Sequence, residues 1–158
     1  MFTGDKSVTG VLLMAYGSPD RPEDVKEFYT DIRGGRVPPE ELIFEIESRY
    51  RKIGGRSPLN QITLSQAEET QKELDRLYPR RYRVYVGMKH WRPFIREAAG
   101  RMMEDKIAKM VAVVLAPHYS AMSVGGYRTK LEQAMGSLDY HPKLEFVKRW
   151  YDNPHLIN

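Results

Sequence analysis

The 158-residue chain contains no cysteine. That excludes disulfide frameworks, thiolate zinc sites, Cys-ligated iron–sulfur clusters and Cys nucleophiles within these residues. Long hydrophobic runs are missing as well. The longest, such as Met110–Pro117, reach about eight residues, and a transmembrane helix needs about 20. The opening MFTGDKSVTG has no basic n-region followed by an apolar h-region, so no signal peptide and a cytoplasmic location are expected. No GxGxxG follows the first apolar run and no GxxxxGK precedes a Ser or Thr, which removes the usual cradles for nucleotide phosphates. No GxSxG supplies the nucleophile elbow of an α/β-hydrolase. Charge of one sign is scarce too: 25 Lys+Arg against 21 Asp+Glu leave +4, with a pI near 9.2. The densest basic cluster, Arg80, Arg81 and Arg83, is not continued and reads as a solvated loop entering a strand. Without a basic stripe interleaved with aromatics, no nucleic-acid partner is expected. The mild positive field suits an anionic small molecule.

What is present is organised as one domain. A chain of this length buries roughly 70% of its unfolded surface and needs no staple. Val8–Tyr16 is a nearly continuous apolar run, the pattern of a buried parallel strand. After Gly17-Ser18-Pro19, Asp20 and Glu23 have capping-box spacing, which predicts a helix capped by Asp20 and running to about Arg33. Gly34-Gly35 stops it. Pro38-Pro39 opens a second helix, Glu40 to about Ile53, stopped by Gly54-Gly55. Ser57-Pro58 reads as an N-cap with Pro at the first helical position, opening a third helix to about Leu77.

The period then changes. Strands are predicted at Tyr82–Gly87, Met110–Ala116 and Leu144–Trp150, and helices at Pro93–Asp105 and Gly126–Met135. The fold class that follows is α/β: a doubly wound parallel sheet of four strands, with a three-helix excursion of about 60 residues after the first. The end, Asp152-Asn153-Pro154, is a helix-start signal with only four residues after it, too few for a helix. The expectation is a chain cut as its next crossover begins, or a frayed tail on a complete domain.

In open parallel sheets ligands bind beyond the carboxyl ends of the strands. Those ends carry Tyr16, Gly17 and Ser18; Met88, Lys89, His90 and Trp91; His118, Tyr119, Ser120 and Ser123, with Tyr127 beyond; and Trp150 and Tyr151. Aromatics to stack, cations for carboxylates, and Tyr or His for a metal suit a large flat anionic ligand. Wet strand ends that simply collect polar groups are the alternative. Gly54-Gly55-Arg56-Ser57 holds an anion at a helix N-terminus, or is a stop followed by a cap. Arg33 and Arg49 are solvated helix ends, or together clamp carboxylates. His90 and His118 are structural donors, or meet in space as ligands.

Four blocks carry a resemblance: Met14 to Pro19 (MAYGSP), Ile53 to Leu59 (IGGRSPL), Gly87 to Phe94 (GMKHWRPF) and Leu115 to Ser120 (LAPHYS). Each alone is modest; four in register are specific. Over about residues 8–154 the chain resembles the ferrochelatases, and the Tyr of MAYGSP is most similar to the bacterial coproporphyrin type. The resemblance implies a lyase of haem biosynthesis that inserts Fe²⁺ into a porphyrin, coproporphyrin III or a relative, with no other cofactor required. It implies two similar α/β halves around a porphyrin cleft, of which residues 1–158 would be the N-terminal one. It places Tyr16 at the metal as a candidate axial ligand. It matches Arg33, Arg49, Ser57 and Tyr127 to propionate-holding positions, Lys89 and His90 to a cleft-lining segment, and Ser120 to the porphyrin site.

The family's catalytic His, in a Ser-Ala-His-Ser-Leu-Pro-like context, and its Glu partner belong to the second half. None of the four His here stands in that context, so no catalytic residue of that pair is expected in this chain, and the chain alone is expected to be inactive. Two other readings stand beside the enzyme: a porphyrin- or haem-binding module without catalysis, and a half-size homodimeric chelatase. Self-association through an uncovered sheet edge belongs to the last of these.

Overall fold

The computed structural model describes residues 7–116 and 124–157. Its centre is β1 (Thr9–Ala15), a run of Val, Leu and Met with no polar side chain after Thr9. Such a run is stable only when covered on both faces, and it is: Leu12 and Met14 are fully buried, and Val11, Leu13 and Ala15 nearly so. The remaining strands are β2 (Tyr82–Met88), β3 (Lys109–Val114) and β4 (Lys143–Val147). All neighbours pair parallel in the order β2-β1-β3-β4. Met14 lies opposite both Gly87 and Val114, so the first three strands end at one level.

The helices are α1 (Val25–Ile32), α2 (Glu40–Lys52), α3 (Leu59–Leu77), α4 (Ile95–Glu104), α5 (Gly126–Ser137) and a single turn, α6 (Pro154–Ile157). The strand order reverses direction after β2, and right-handed crossovers then put helices on opposite faces. The pleat agrees. Val84 lines a groove with Leu64, Ala67 and Gln71 of α3. The next residue, Tyr85, joins the core formed with Ile95, Ala98, Ala99 and Met102 of α4 and Leu131 and Ala134 of α5. β3 is buried at alternate positions, and Met110, Ala112 and Val114 face that same core. The switch in crossover direction falls between β1 and β3, where an open α/β sheet has its crevice.

The predicted elements are all present, with ends displaced by a few residues. Three expectations are corrected. Asp20 does not cap the first helix: the chain enters through a 3-10 turn, Pro22–Asp24, whose N-cap is Arg21. The Asp20 carboxylate instead accepts from Trp91 Nε1 at 2.9 Å and Asn60 Nδ2 at 3.1 Å, so it staples three segments together. Pro58 is the N-cap of α3 rather than its first residue, and Ser57 Oγ accepts the Leu59 N–H at 3.2 Å. Pro154–Ile157 do make a helical turn, because Asn153 Oδ1 accepts the His155 N–H at 3.0 Å.

Candidate functional site

The ends of β1 and β2 are bonded to each other beyond the strands. Lys89 N–H donates to Ala15 O at 2.8 Å and His90 N–H to Tyr16 O at 3.0 Å. The chain turns away at Gly17, whose φ of +87° favours glycine. A Cβ there would meet Trp91 Cβ at 2.7 Å, so the close approach of the two strand ends also demands glycine. Asn60 of α3 holds the next residue by its backbone: Nδ2 donates to Ser18 O at 2.7 Å, and Oδ1 accepts the Ser18 N–H at 3.0 Å. Tyr16 is therefore fixed at its main chain while the residue stays 42% exposed.

Around it lies a cluster drawn from four segments. The Tyr16 ring lies tilted against His90 with centroids 4.6 Å apart, and edge-on to Phe28 at 6.2 Å. His90, a buried residue, has Nδ1 2.6 Å from Asp31 Oδ2, and Lys130 Nζ of α5 lies 3.0 Å from the same oxygen. Lys130 also donates to the Lys89 carbonyl. The Lys89 ammonium stands 5.1 Å from the centre of the buried Tyr127 ring, over its face. Asp31 lies between two clefts. One, about 480 Å³, has Lys89, Phe94, Arg96 and Lys130 in its walls; the other, about 580 Å³, has Lys26, His90, Trp91 and Phe94.

The electrostatics follow from crowding. Burial pushes the Asp31 carboxyl up, but the hydrogen bonds from His90 and Lys130 outweigh it, and the group sits below its usual value. Burial holds the His90 imidazole below its ordinary value; Asp31 pulls upward, and Lys130 and Lys89 reinforce the fall. Burial and then Lys130 lower Lys89. Partial burial, then Tyr29 and Asp31, raise the Tyr16 phenol, and burial, then Tyr16, push Tyr127 up to about 12. At neutral pH the site therefore presents neutral phenols and a neutral imidazole beside the Asp31 carboxylate.

Of the sequence-derived residues, Tyr16, Lys89, His90 and Tyr127 come together here. Ser57 is half-buried at the start of α3. Arg33, the C-cap of α1, is exposed. Arg49 is exposed on α2 and paired with Glu45 one turn away. Ser120 lies outside the described residues, as do His118, Tyr119 and Ser123. Trp150 turns inward, and its Nε1 donates to Val114 O at 2.8 Å. Asp31, Lys130 and Asn60 were not singled out from the sequence. Asp31 had one signal, a carboxylate in the last turn of a helix, where the dipole disfavours it. Among the described residues no three His, Asp or Glu side chains form a metal-holding group, and no helix is long and apolar enough to cross a membrane.

The ferrochelatase family profile matches residues 8–158. The chain is 39% identical to the ferrochelatase of Herpetosiphon aurantiacus, covering 95% of this chain and 49% of that protein. It is 46% identical to the ferrochelatase of Thermus thermophilus, covering 93% and 51%. It is 42% identical to the coproporphyrin III ferrochelatase of Geobacillus kaustophilus, covering 96% and 48%. The chain thus spans about half the length of the curated relatives it matches. A four-stranded parallel sheet with its polar and aromatic groups gathered at the strand ends, matched along nearly its whole length, belongs to the ferrochelatase family.

Proposed function

We propose that these residues form the porphyrin-binding, N-terminal half of a coproporphyrin-type ferrochelatase, a lyase whose substrates are Fe²⁺ and coproporphyrin III or a related porphyrin. The observation that carries the reading is the juxtaposition of Tyr16, His90, Lys89 and Tyr127 at the crevice where the crossovers diverge. Aromatic faces suit a flat macrocycle, and the cations suit its carboxylates. On this reading Arg33, Arg49, Ser57 and Tyr127 hold propionates, Lys89 and His90 line the cleft, and Ser120 belongs to the porphyrin site.

Tyr16 is the candidate iron ligand. Its phenol is held above its ordinary value, so it is protonated at neutral pH. A bound cation, rather than the free site, has to displace that proton. Metallation also requires a base for two pyrrole protons. The groups here serve that need poorly: Asp31 is engaged by His90 and Lys130, the phenols are raised, and burial holds the His90 imidazole below its ordinary value, which makes it a weak base. A second half carrying the family's His and Glu would supply the base, and the present chain alone binds without metallating.

The test is a pair of assays on the 158-residue chain. Coproporphyrin III should quench on binding, and anaerobic Fe²⁺ insertion should stay at the uncatalysed rate. Ordinary enzyme turnover would refute the division of labour, and loss of all quenching would refute the porphyrin site. Sedimentation of the same sample separates a monomeric half from a homodimeric half-size chelatase.

A further inference from the structure

Asp31 sits where its own helix disfavours it. It lies in the last turn of α1, beside partially negative carbonyls. Lys130 is a cation in the second turn of α5, near that helix's partially positive end. Lys89 crowds the same end, with its Nζ 2.5 Å from where a Cβ on Gly126 would stand. Each charge is at odds with its own element, and the Asp31–Lys130 pair at 3.0 Å relieves both. Local rules broken together, and reconciled only across the fold, mark a place kept for function.

The remaining partner of Asp31 gives that function its chemistry. An ionised carboxylate only accepts, so the 2.6 Å contact with His90 requires the proton to be on Nδ1. A neutral imidazole protonated there has a bare Nε2. Among the described residues no donor meets that nitrogen. The ring is buried against Tyr16, the exposed residue at the end of β1.

We propose that Asp31 is a positioning residue: held by Lys130, it fixes His90 as the Nδ1–H tautomer, so that Nε2 of a ring packed against Tyr16 is left as a hydrogen-bond acceptor for the bound ligand. The arrangement is that of a histidine oriented by an outer carboxylate, which sets both ring angle and tautomer. The porphyrin reading enters only through the identity of the ligand; the tautomer is a property of the free protein. A purely structural Asp31–His90 pair would fix the same tautomer but leave coproporphyrin affinity unchanged in Asp31→Ala, so the binding arm below separates the two roles.

The experiment uses the chain labelled with ¹⁵N-histidine, with His90 assigned by its loss in His90→Gln. Long-range ¹H–¹⁵N spectra at neutral pH should show His90 as Nδ1–H in the wild type and in Lys130→Met. In Asp31→Ala it should revert to Nε2–H, the form a free histidine side chain prefers. Coproporphyrin III quenching adds the functional arm. Asp31→Ala and His90→Gln should each weaken binding about fivefold or more. The double variant should bind no worse than His90→Gln alone, because Asp31 acts through His90. An Nε2–H wild type, a tautomer indifferent to Asp31→Ala, or additive losses would each overturn the proposal. Should Asp31→Ala fail to fold, the wild-type spectrum still decides. Should the wild type not bind coproporphyrin, the porphyrin reading falls and the spectra judge the positioning role by themselves.

Discussion

Gln71 pairs with Val84 as a neighbouring strand would. Its Oε1 accepts the Val84 N–H at 2.7 Å, while its Nε2 donates to Tyr82 O at 3.1 Å. β2 is an edge of the sheet, and a side-chain amide from α3 occupies part of that edge. Open edges invite pairing with other chains. Gln71→Ala should therefore lose about 1–2 kcal/mol in urea unfolding, for its hydrogen bonds to Val84, Tyr82 and Asp75, partly replaced by water. It should also increase concentration-dependent association in sedimentation. Gln71→Glu keeps the acceptor for Val84 but sets a carboxylate oxygen against Tyr82 O and Asp75 Oδ2, so it should cost more than Gln71→Ala. Equal stability of all three proteins would show the amide to be incidental.

The two candidate carboxylate-binding arginines should behave differently from their neighbours. Arg33→Ala or Arg49→Ala should weaken coproporphyrin III binding by roughly tenfold or more, since a charge-assisted hydrogen bond contributes about 1.5–3 kcal/mol. The loss should shrink for porphyrins with fewer propionates. Arg49 is held by Glu45 across one exposed helical turn, a pair worth at most about 1 kcal/mol. Glu45→Gln should release the guanidinium, leaving affinity unchanged or raising it by up to about fivefold. Weaker binding in Glu45→Gln would mean that the pair, rather than Arg49 itself, recognises the ligand.

Iron coproporphyrin on this chain should give a tyrosinate-type visible and Raman signature that disappears in Tyr16→Phe. Tyr16 is 42% exposed and no described residue hydrogen-bonds its hydroxyl, so the substitution should change apo stability by under about 1 kcal/mol. An unchanged spectrum with a lower melting temperature would assign the hydroxyl a structural duty and remove Tyr16 from the metal.

Gly126 separates stability from binding. Among the described residues a Cβ there meets only the flexible head of Lys89, at 2.5 Å from Nζ and 3.1 Å from Cε. Gly126→Ala should leave thermal stability unchanged or raise it by up to about 1 kcal/mol, since alanine favours the helix. It should nevertheless displace Lys89 from the Tyr127 face and reduce coproporphyrin affinity as Lys89→Met does. Gly17→Ala should instead destabilise by about 2 kcal/mol or more, because its backbone is left-handed and the nearest atoms include Trp91 backbone. Equal melting temperatures for the two alanine variants would contradict this account.

Alkaline stability should depend on Tyr140. Its hydroxyl donates to Ile107 O at 2.6 Å, and burial pushes it up to about 12, from an ordinary value of 10.0. The folded state thus holds this proton more tightly than the unfolded state. The stabilisation is complete below pH 10 and is lost as pH rises through about 12. Tyr140→Phe should cost about 1 kcal/mol at neutral pH for the orphaned carbonyl. Its urea midpoint should then fall less steeply than that of the wild type between pH 10 and 12. Parallel alkaline slopes would place the titration elsewhere.

By itself the sequence determined the elements and their class. The apolar run of β1, the Gly-Gly stops at 34–35 and 54–55, and the alternation of strand and helix periods are local signals written in adjacent residues. Tyr16, Lys89 and His90 were legible because a parallel sheet gathers its strand ends whatever the details of packing. Only the tertiary structure decided what those residues touch. Asp31 reads locally as one more helix carboxylate, yet it meets His90 across 59 positions and Lys130 across 99. Asp20 has the spacing of a helix cap, but in the fold Trp91, 71 positions away, takes one of its oxygens and Asn60 the other. Gln71 is an unremarked polar residue until α3 lies on β2. A short polar side chain bonds to whichever donor packing brings within about 3 Å, and in these three cases that donor came from a distant segment, which no local period encodes.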